Sequence, residues 1–278
     1  RITYRSACYR LDPSLGLAII IITIRCSVPM AYSSFQLIQG AVPSPASFGH
    51  ATSLADALRH DLRLHHPHLL ETVKFDEPTP FNALTLAQWA QPDTFNALMT
   101  AYSDHIYAQH TEQPRETKPL KSLWAQWYIG LLTPALMAAV VMHPTGLRLS
   151  PDLIRVRFHE TGRAETFWID VYSHPPLAQY SLRERMEYLT GEVLRPVVDA
   201  LEESGDINGR LIWSNAGYLI NWFLGELKPR LGEADWQALR QACFFEKTRL
   251  DGRDNPLYRT VVPREGLLVR RKIGRAHV

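Results

Sequence analysis

A chain of 278 residues, 46% hydrophobic and 21% charged, has the makeup of a globular protein with room for one substantial core or two modest lobes. Its 30 basic and 28 acidic residues leave a formal net charge of +2, which gives nucleic acid or an anionic membrane no electrostatic hold as the main partner. Three cysteines (Cys8, Cys26 and Cys243), none in C-x-x-C spacing, exclude a disulfide framework and a thiolate zinc site and fit a reducing compartment.

The first 29 residues carry an apolar run, Leu15–Ile24, between Arg10 and Arg25, with no methionine before Met30. A secretory signal starts at a methionine and ends in a small-residue cleavage site, and this run is too short to span a bilayer. The expectation is that residues 1–29 are translated upstream sequence and that the native protein begins at Met30, with a cleaved or anchoring segment as the alternative.

Helical periodicity then runs from Ser53 to Leu70, with Leu54, Leu58, Leu62 and Leu69 near one face. Phe75–Pro80 (FDEPTP) reads as a turn-rich connector. Thr85–Gln109 is helical with a break at Pro92, and Phe95, Leu98, Tyr102 and Ile106 recur at spacings of three and four. Lys118–Met142 reads as a pair of apolar helices. Its run Trp127–Met142 is interrupted by Pro134, which predicts a buried, kinked helix rather than a membrane span.

The pattern changes at Leu153–Ser173, where Ile154, Val156 and Phe158, then Phe167, Ile169 and Val171, alternate with polar residues around a Glu160–Arg163 turn. That is a β-hairpin. Helices resume after Pro176. Ser181 and Glu184 form a capping box ahead of the stripe Leu182, Met186, Leu189, Val193, Val197 and Leu201. Asn208–Leu227 and Ala234–Lys247 follow, and Tyr258–Val262 and Gly266–Val269 read as a short β ending with a turn at Arg264–Gly266. The expected fold class is α+β, mainly helical with a small antiparallel sheet.

No G-x-S-x-G elbow, phosphate loop, dinucleotide fingerprint or H-E-x-x-H motif is present. Four places hold polar groups worth weighing. His65, His66 and His68 in LHHPHLL are close enough in sequence to suggest a metal, but no thiol or carboxylate joins them, and they read as a solvated helix segment. FHETGR puts His159, Glu160 and Arg163 at the hairpin tip, either as ordinary turn chemistry or as a loop touching an anion or ligand. In Ile212–Leu224, Ser214, Asn215 and Asn221 interrupt an apolar helix bearing Trp213, Tyr218 and Trp222. Buried amides there need partners, supplied by a structural network or by a ligand facing an aromatic wall. Phe244–Arg271 concentrates Lys247, Arg249, Arg253, Arg259, Arg264, Arg270 and Arg271 among acidic residues that can pair with them.

Taken together, MAYSS at Met30, FDEPTP, NALTLAQW (Asn82–Trp89), YSDHIY (Tyr102–Tyr107), KPLKSLWAQWYIGL (Lys118–Leu131), FHETGR, INGRLIWSNAGYLINW (Ile207–Trp222), FFEK (Phe244–Lys247) and NPLYRTVV with GLLVRR (Asn255–Arg271) resemble the FhuF-type ferric siderophore reductases. The likeness covers residues 30–271, which form the expected siderophore-handling body; residues 272–278 read as translational read-through.

The resemblance implies a cytoplasmic bacterial enzyme, at most peripheral to the inner membrane. It would reduce Fe(III) in imported siderophores, hydroxamate types in particular, to Fe(II) by way of a [2Fe–2S] cluster. Its partners would be the ferric siderophore and an electron donor that the sequence does not identify, with no nucleic acid and no stable membrane insertion. Family members hold the cluster with four C-terminal cysteines that start just after the double arginine. Arg270–Arg271 is followed here by no cysteine, so this chain is expected to bind no cluster and to be inactive in electron transfer. The alternative is a cluster-free protein that binds siderophores or their precursors, related to the C-terminal domains of siderophore synthetases. The expected substrate contacts are His159, Arg163, Asn215, Lys247, Arg270 and Arg271; no metal ligand and no catalytic residue is assigned.

Overall fold

A computed structural model describes residues 53–109, 112–143, 146–264 and 267–270, with only the backbone of 263, 264 and 267–270. Helix α1 (Leu54–His65) begins where the Ser53 hydroxyl accepts from the Asp56 amide at 3.1 Å, which satisfies a first-turn N–H. The helix ends sooner than its leucine periodicity predicts, because Pro67 has no N–H to continue the ladder. A single turn, α2 (Leu69–Thr72), follows.

Next comes a strand inside the predicted helix-to-connector segment, β1 (Val73–Phe75), then β2 (Leu84–Thr85) and the short helix α3 (Leu86–Trp89). Helix α4 (Pro92–Ile106) has Pro92 in its first turn, where the missing N–H costs nothing. Helix α5 (Thr117–Met137) is continuous through Pro134 and runs into a π turn, Ala138–Met142, so the predicted pair is one long helix. Among the described residues, 117–142 is a stretch long and apolar enough to cross a membrane, but most of it is buried within the protein. Trp124, Ile129, Leu132 and Leu136 are at most 1% exposed and form the centre of the core.

The predicted hairpin forms as β3 (Ile154–Phe158) and β4 (Ala164–Ile169). Strand order in the sheet is β1-β4-β3-β2. The sheet is mixed rather than purely antiparallel, because β1 lies parallel to β4, with Val73 opposite Phe167 and Phe75 opposite Ile169. Two of the three β1 residues are fully buried, and a strand that short gives no alternation to read.

The capping box holds: Ser181 Oγ accepts from the Glu184 amide at 3.3 Å, and Glu184 Oε2 accepts from the Ser181 amide at 2.7 Å. The helix it opens runs as α6 (Leu182–Leu189), a π turn (Thr190–Leu194) and α7 (Arg195–Glu203). Lys121 of α5, 5% exposed, donates to the carbonyls of Ser204 and Gly205 at 2.9 Å each. It thereby satisfies free carbonyls at the negative end of α7. Helix α8 (Gly209–Leu231) packs along α5, and α9 (Glu233–Phe244) packs back on α8. Asn255 ties off the end of α9 by donating to the carbonyls of Ala242, Cys243 and Glu246 at 2.9–3.1 Å. A two-stranded ribbon, β5 (Val261–Arg264) and β6 (Leu267–Arg270), lies against α8. It starts later than Tyr258 because Asn255–Thr260 is a turn, with Arg259 at φ +57°.

Candidate functional site

The expected contacts do not converge on one pocket. At the hairpin tip, Gly162 sits at φ +75° and a Cβ there would collide with the Leu98 carbonyl of α4, so only glycine lets the tip approach. Trp124 and Trp127 of α5 donate through Nε1 to the carbonyls of Gly162 and Ala164 at 2.8 Å each. His159 Nδ1 lies 3.0 Å from Thr161 Oγ1, and the Arg163 guanidinium rests 4.8 Å from the Trp127 ring centre. The tip is thus docked onto α4 and α5, with both of its candidate side chains in intramolecular contacts.

The expected aromatic and amide wall on α8 splits across two faces. Asn215, 1% exposed, turns toward α5 and donates through Nδ2 to Ser122 Oγ at 3.0 Å. Its Oδ1 and the hydroxyl of Ser214 are buried without a protein partner. Tyr218 and Trp222, one turn apart, are 41% and 44% exposed on the outer side. Ser122 lies roughly 140–200° around α5 from Trp124 and Trp127, so Asn215 and the hairpin tip meet different faces of that helix.

The remaining candidates lie toward the C-terminal ribbon. The Lys247 side chain is exposed, and its carbonyl accepts from the Asn255 amide at 2.8 Å. Arg270 pairs through its backbone with Val261 in the ribbon, and Arg271 lies outside the described residues. At the start of the ribbon, a Cβ on Gly217 of α8 would fall onto the hydroxyl of Thr260, which fixes how closely the chain there approaches the helix.

In the histidine cluster, His65 and His68 are exposed, as expected of a solvated segment, and His66 is not. His66 is 7% exposed and packs on Phe223 at 5.2 Å between ring centres, while His65 Nε2 lies 3.7 Å from Asp61 Oδ1. Burial holds the His66 imidazole below its usual pKa, with the charges of His68, Arg230 and His65 acting in the same direction.

A cleft of about 780 Å3 lies where α1, the π turn after α5 and the last turns of α8 meet. Arg230 closes one side by donating from Nη1 and Nη2 to both oxygens of Asp61, at 3.0 and 2.8 Å. His60, Arg63, Met142 and His143 also line it. Burial holds His143 below the usual imidazole pKa, so it is neutral near pH 7. Buried Arg185 fixes the chain at this point by donating to the His143 carbonyl at 3.0 Å. The sequence gives little sign of this cleft, because residues near 61, 143 and 230 come together only through tertiary packing. The one local cue is the polar His143 closing a long apolar helix.

The described residues do not fit a [2Fe–2S] cluster. Such a cluster takes four thiolates, the whole sequence has three cysteines, and among the described residues the only one is Cys243. Cys243 is 6% exposed, and burial pushes its thiol up to about 12, far from the thiolate a ligand requires. No group of three or more His, Cys, Asp or Glu side chains among the described residues is placed to hold a metal ion.

Comparison with known proteins places the chain in a family. Residues 122–268, from α5 to β6, match the family described as ferric iron reductase FhuF-like transporter. A protein named ferric siderophore reductase from Escherichia coli (strain K12) is 51% identical over 242 residues, covering 87% of this chain and 92% of the relative.

Proposed function

The chain belongs to the FhuF-like ferric iron reductase family, and from that premise we propose that it is the siderophore-handling body of a ferric siderophore reductase acting on hydroxamate complexes. The observation that carries this reading is the 51% identity to a named ferric siderophore reductase across a stretch long enough to take in nearly the whole described fold. The chemistry is consistent with it. Hard oxygen donors hold Fe(III) far more tightly than Fe(II), so gain of one electron by the bound iron weakens the complex and lets the metal leave.

The chain as given is proposed to bind its chelate without reducing it. Three cysteines are one short of a four-thiolate cluster, and Cys243 is sealed in the core as a neutral thiol. Anaerobic reconstitution with iron and sulfide tests this. The expected result is no visible absorption or reduced-state paramagnetic signal of a [2Fe–2S] centre, and either signal overturns the statement. A location in the cytoplasm, at most peripheral to a membrane, is part of this proposal; the apolar stretch 117–142 is mostly buried within the protein, which leaves little of it to face lipid.

Of the expected substrate contacts, His159, Arg163 and Asn215 already have partners within the fold. A face beside the ribbon, with contact through Lys247, Arg270 or Arg271, is one of two locations open to the chelate. Lys247→Ala separates them: loss of chelate binding with an unchanged melting temperature would put the chelate there, and unchanged affinity would put it elsewhere on the fold.

A further inference from the structure

The cleft between α1, the π turn and α8 has the size of a small-molecule site, for which pockets of roughly 300–1,000 Å3 are usual. Its polar groups differ in what they leave available. Asp61 and Arg230 neutralise each other through two parallel hydrogen bonds and form a fixed wall. Asp56, at the rim, is already paired with Arg59 at 2.6 Å and takes a hydrogen bond from Ser53.

Arg63, two residues beyond Asp61 on α1, is exposed on the cleft lining and makes no ion pair or hydrogen bond with any described residue. Its guanidinium offers five N–H donors in a planar fork. His60, also exposed on the lining, adds an imidazole, and Met142 supplies an apolar surface. The cleft therefore presents hydrogen-bond donors, some apolar area and one positive charge that no described residue compensates.

A ferric tris-hydroxamate is the matching kind of ligand. Three singly charged hydroxamates around Fe(III) make a neutral complex rich in oxygen acceptors, with apolar linkers between them. One electron from an external one-electron donor converts Fe(III) to Fe(II) and leaves the same complex with one negative charge, which a free guanidinium compensates.

We propose that this cleft binds the ferric tris-hydroxamate, with Arg63 and His60 donating to hydroxamate oxygens. The inference rests on the reading of the chain as a ferric siderophore reductase body and adds to it a place and two contact residues. It also separates this site from the ribbon face. Arg230 stands 13 residues along α8 from Gly217, the position that meets Thr260, which is about 20 Å of helix.

Calorimetric titration of the full chain with ferrichrome, a neutral tris-hydroxamate, as its Fe(III) and its redox-inert Ga(III) complexes tests the proposal. Wild type is expected to bind both complexes with similar affinity. Arg63→Glu and His60→Ala, at exposed positions, should each weaken binding about ten- to a hundredfold, the usual worth of a charge-assisted or well-placed hydrogen bond. Arg210→Glu makes the same charge change on the exposed first turn of α8 and should leave affinity unchanged. If wild type binds and both cleft variants bind equally well, or if Lys247→Ala alone abolishes binding, the cleft assignment is overturned while the functional reading stands. If wild type binds neither complex, both are overturned.

Discussion

Arg230 and Asp61, 169 residues apart in sequence, meet through two hydrogen bonds of 3.0 and 2.8 Å, with each side chain 22% exposed. This pair fastens the last turns of α8 to α1. Removing one partner leaves a partly buried charge without its counterpart, which costs more than removing both. Asp61→Asn and Arg230→Gln should each destabilise the protein. A double-mutant cycle in urea should return a coupling on the order of 1–3 kcal/mol. Additive effects of the two substitutions would show that the clasp contributes nothing beyond its parts.

Two glycines on α8 should respond in opposite directions to the same change. Gly217→Ala forces a methyl group into Thr260 and should cost about 1–3 kcal/mol through overpacking against the ribbon. Gly225→Ala meets nothing within 4 Å and should stabilise the helix by roughly 0.5–1 kcal/mol, because alanine loses less backbone freedom. Thermal melting of the two variants checks both signs.

His66 makes stability depend on acid. Its folded-state pKa lies below the ordinary value of 6.5, mainly because burial disfavours the imidazolium. The unfolded chain therefore binds the proton more readily, so the stabilisation is complete above 6.5 and is lost as pH falls through the folded value. His143 is shifted in the same direction. Urea midpoints should fall between pH 7.5 and 5. His66→Leu should reduce that fall without abolishing it, and an unchanged pH profile in His66→Leu would contradict the assignment.

Cys243 acts at the alkaline end. Burial raises its thiol from 9.0 to about 12, so its contribution is complete below 9 and is lost as pH rises toward 12. In a Cys8→Ser, Cys26→Ser background, iodoacetamide at pH 8 should leave native Cys243 essentially unmodified and react rapidly once urea unfolds the chain. Equal rates in the two states would rule out the sealed thiol.

Features encoded locally were legible in the sequence. The capping box at Ser181 and Glu184, the alternation in the β3–β4 hairpin and the buried stripe of α6 and α7 each depend on residues a few positions apart. Strand β1 was not legible, because its pairing with β4 joins Val73 to Phe167, and three residues are too few to show a period. Nor were the π turns at Ala138–Met142 and Thr190–Leu194, which interrupt otherwise regular helical patterns.

Candidate site residues were harder still. Sequence marks a polar group inside an apolar stretch without saying whether the fold or a ligand satisfies it. Asn215 finds Ser122, and Arg163 finds Trp127. Arg63 gives no signal in the sequence, because an arginine on a helix surface is ordinary. Its setting emerges only when α8 and the π turn close around it.

The proposed role, recognition of ferric hydroxamate complexes by a ferric siderophore reductase body without an electron-transfer centre of its own, rests on binding that can be measured apart from reduction. Calorimetric titration of the wild-type chain with Ga(III) ferrichrome isolates recognition from redox chemistry. Saturable binding of one complex per chain, matched by the Fe(III) form, is the predicted result. Absence of binding by a folded protein would rule out this role.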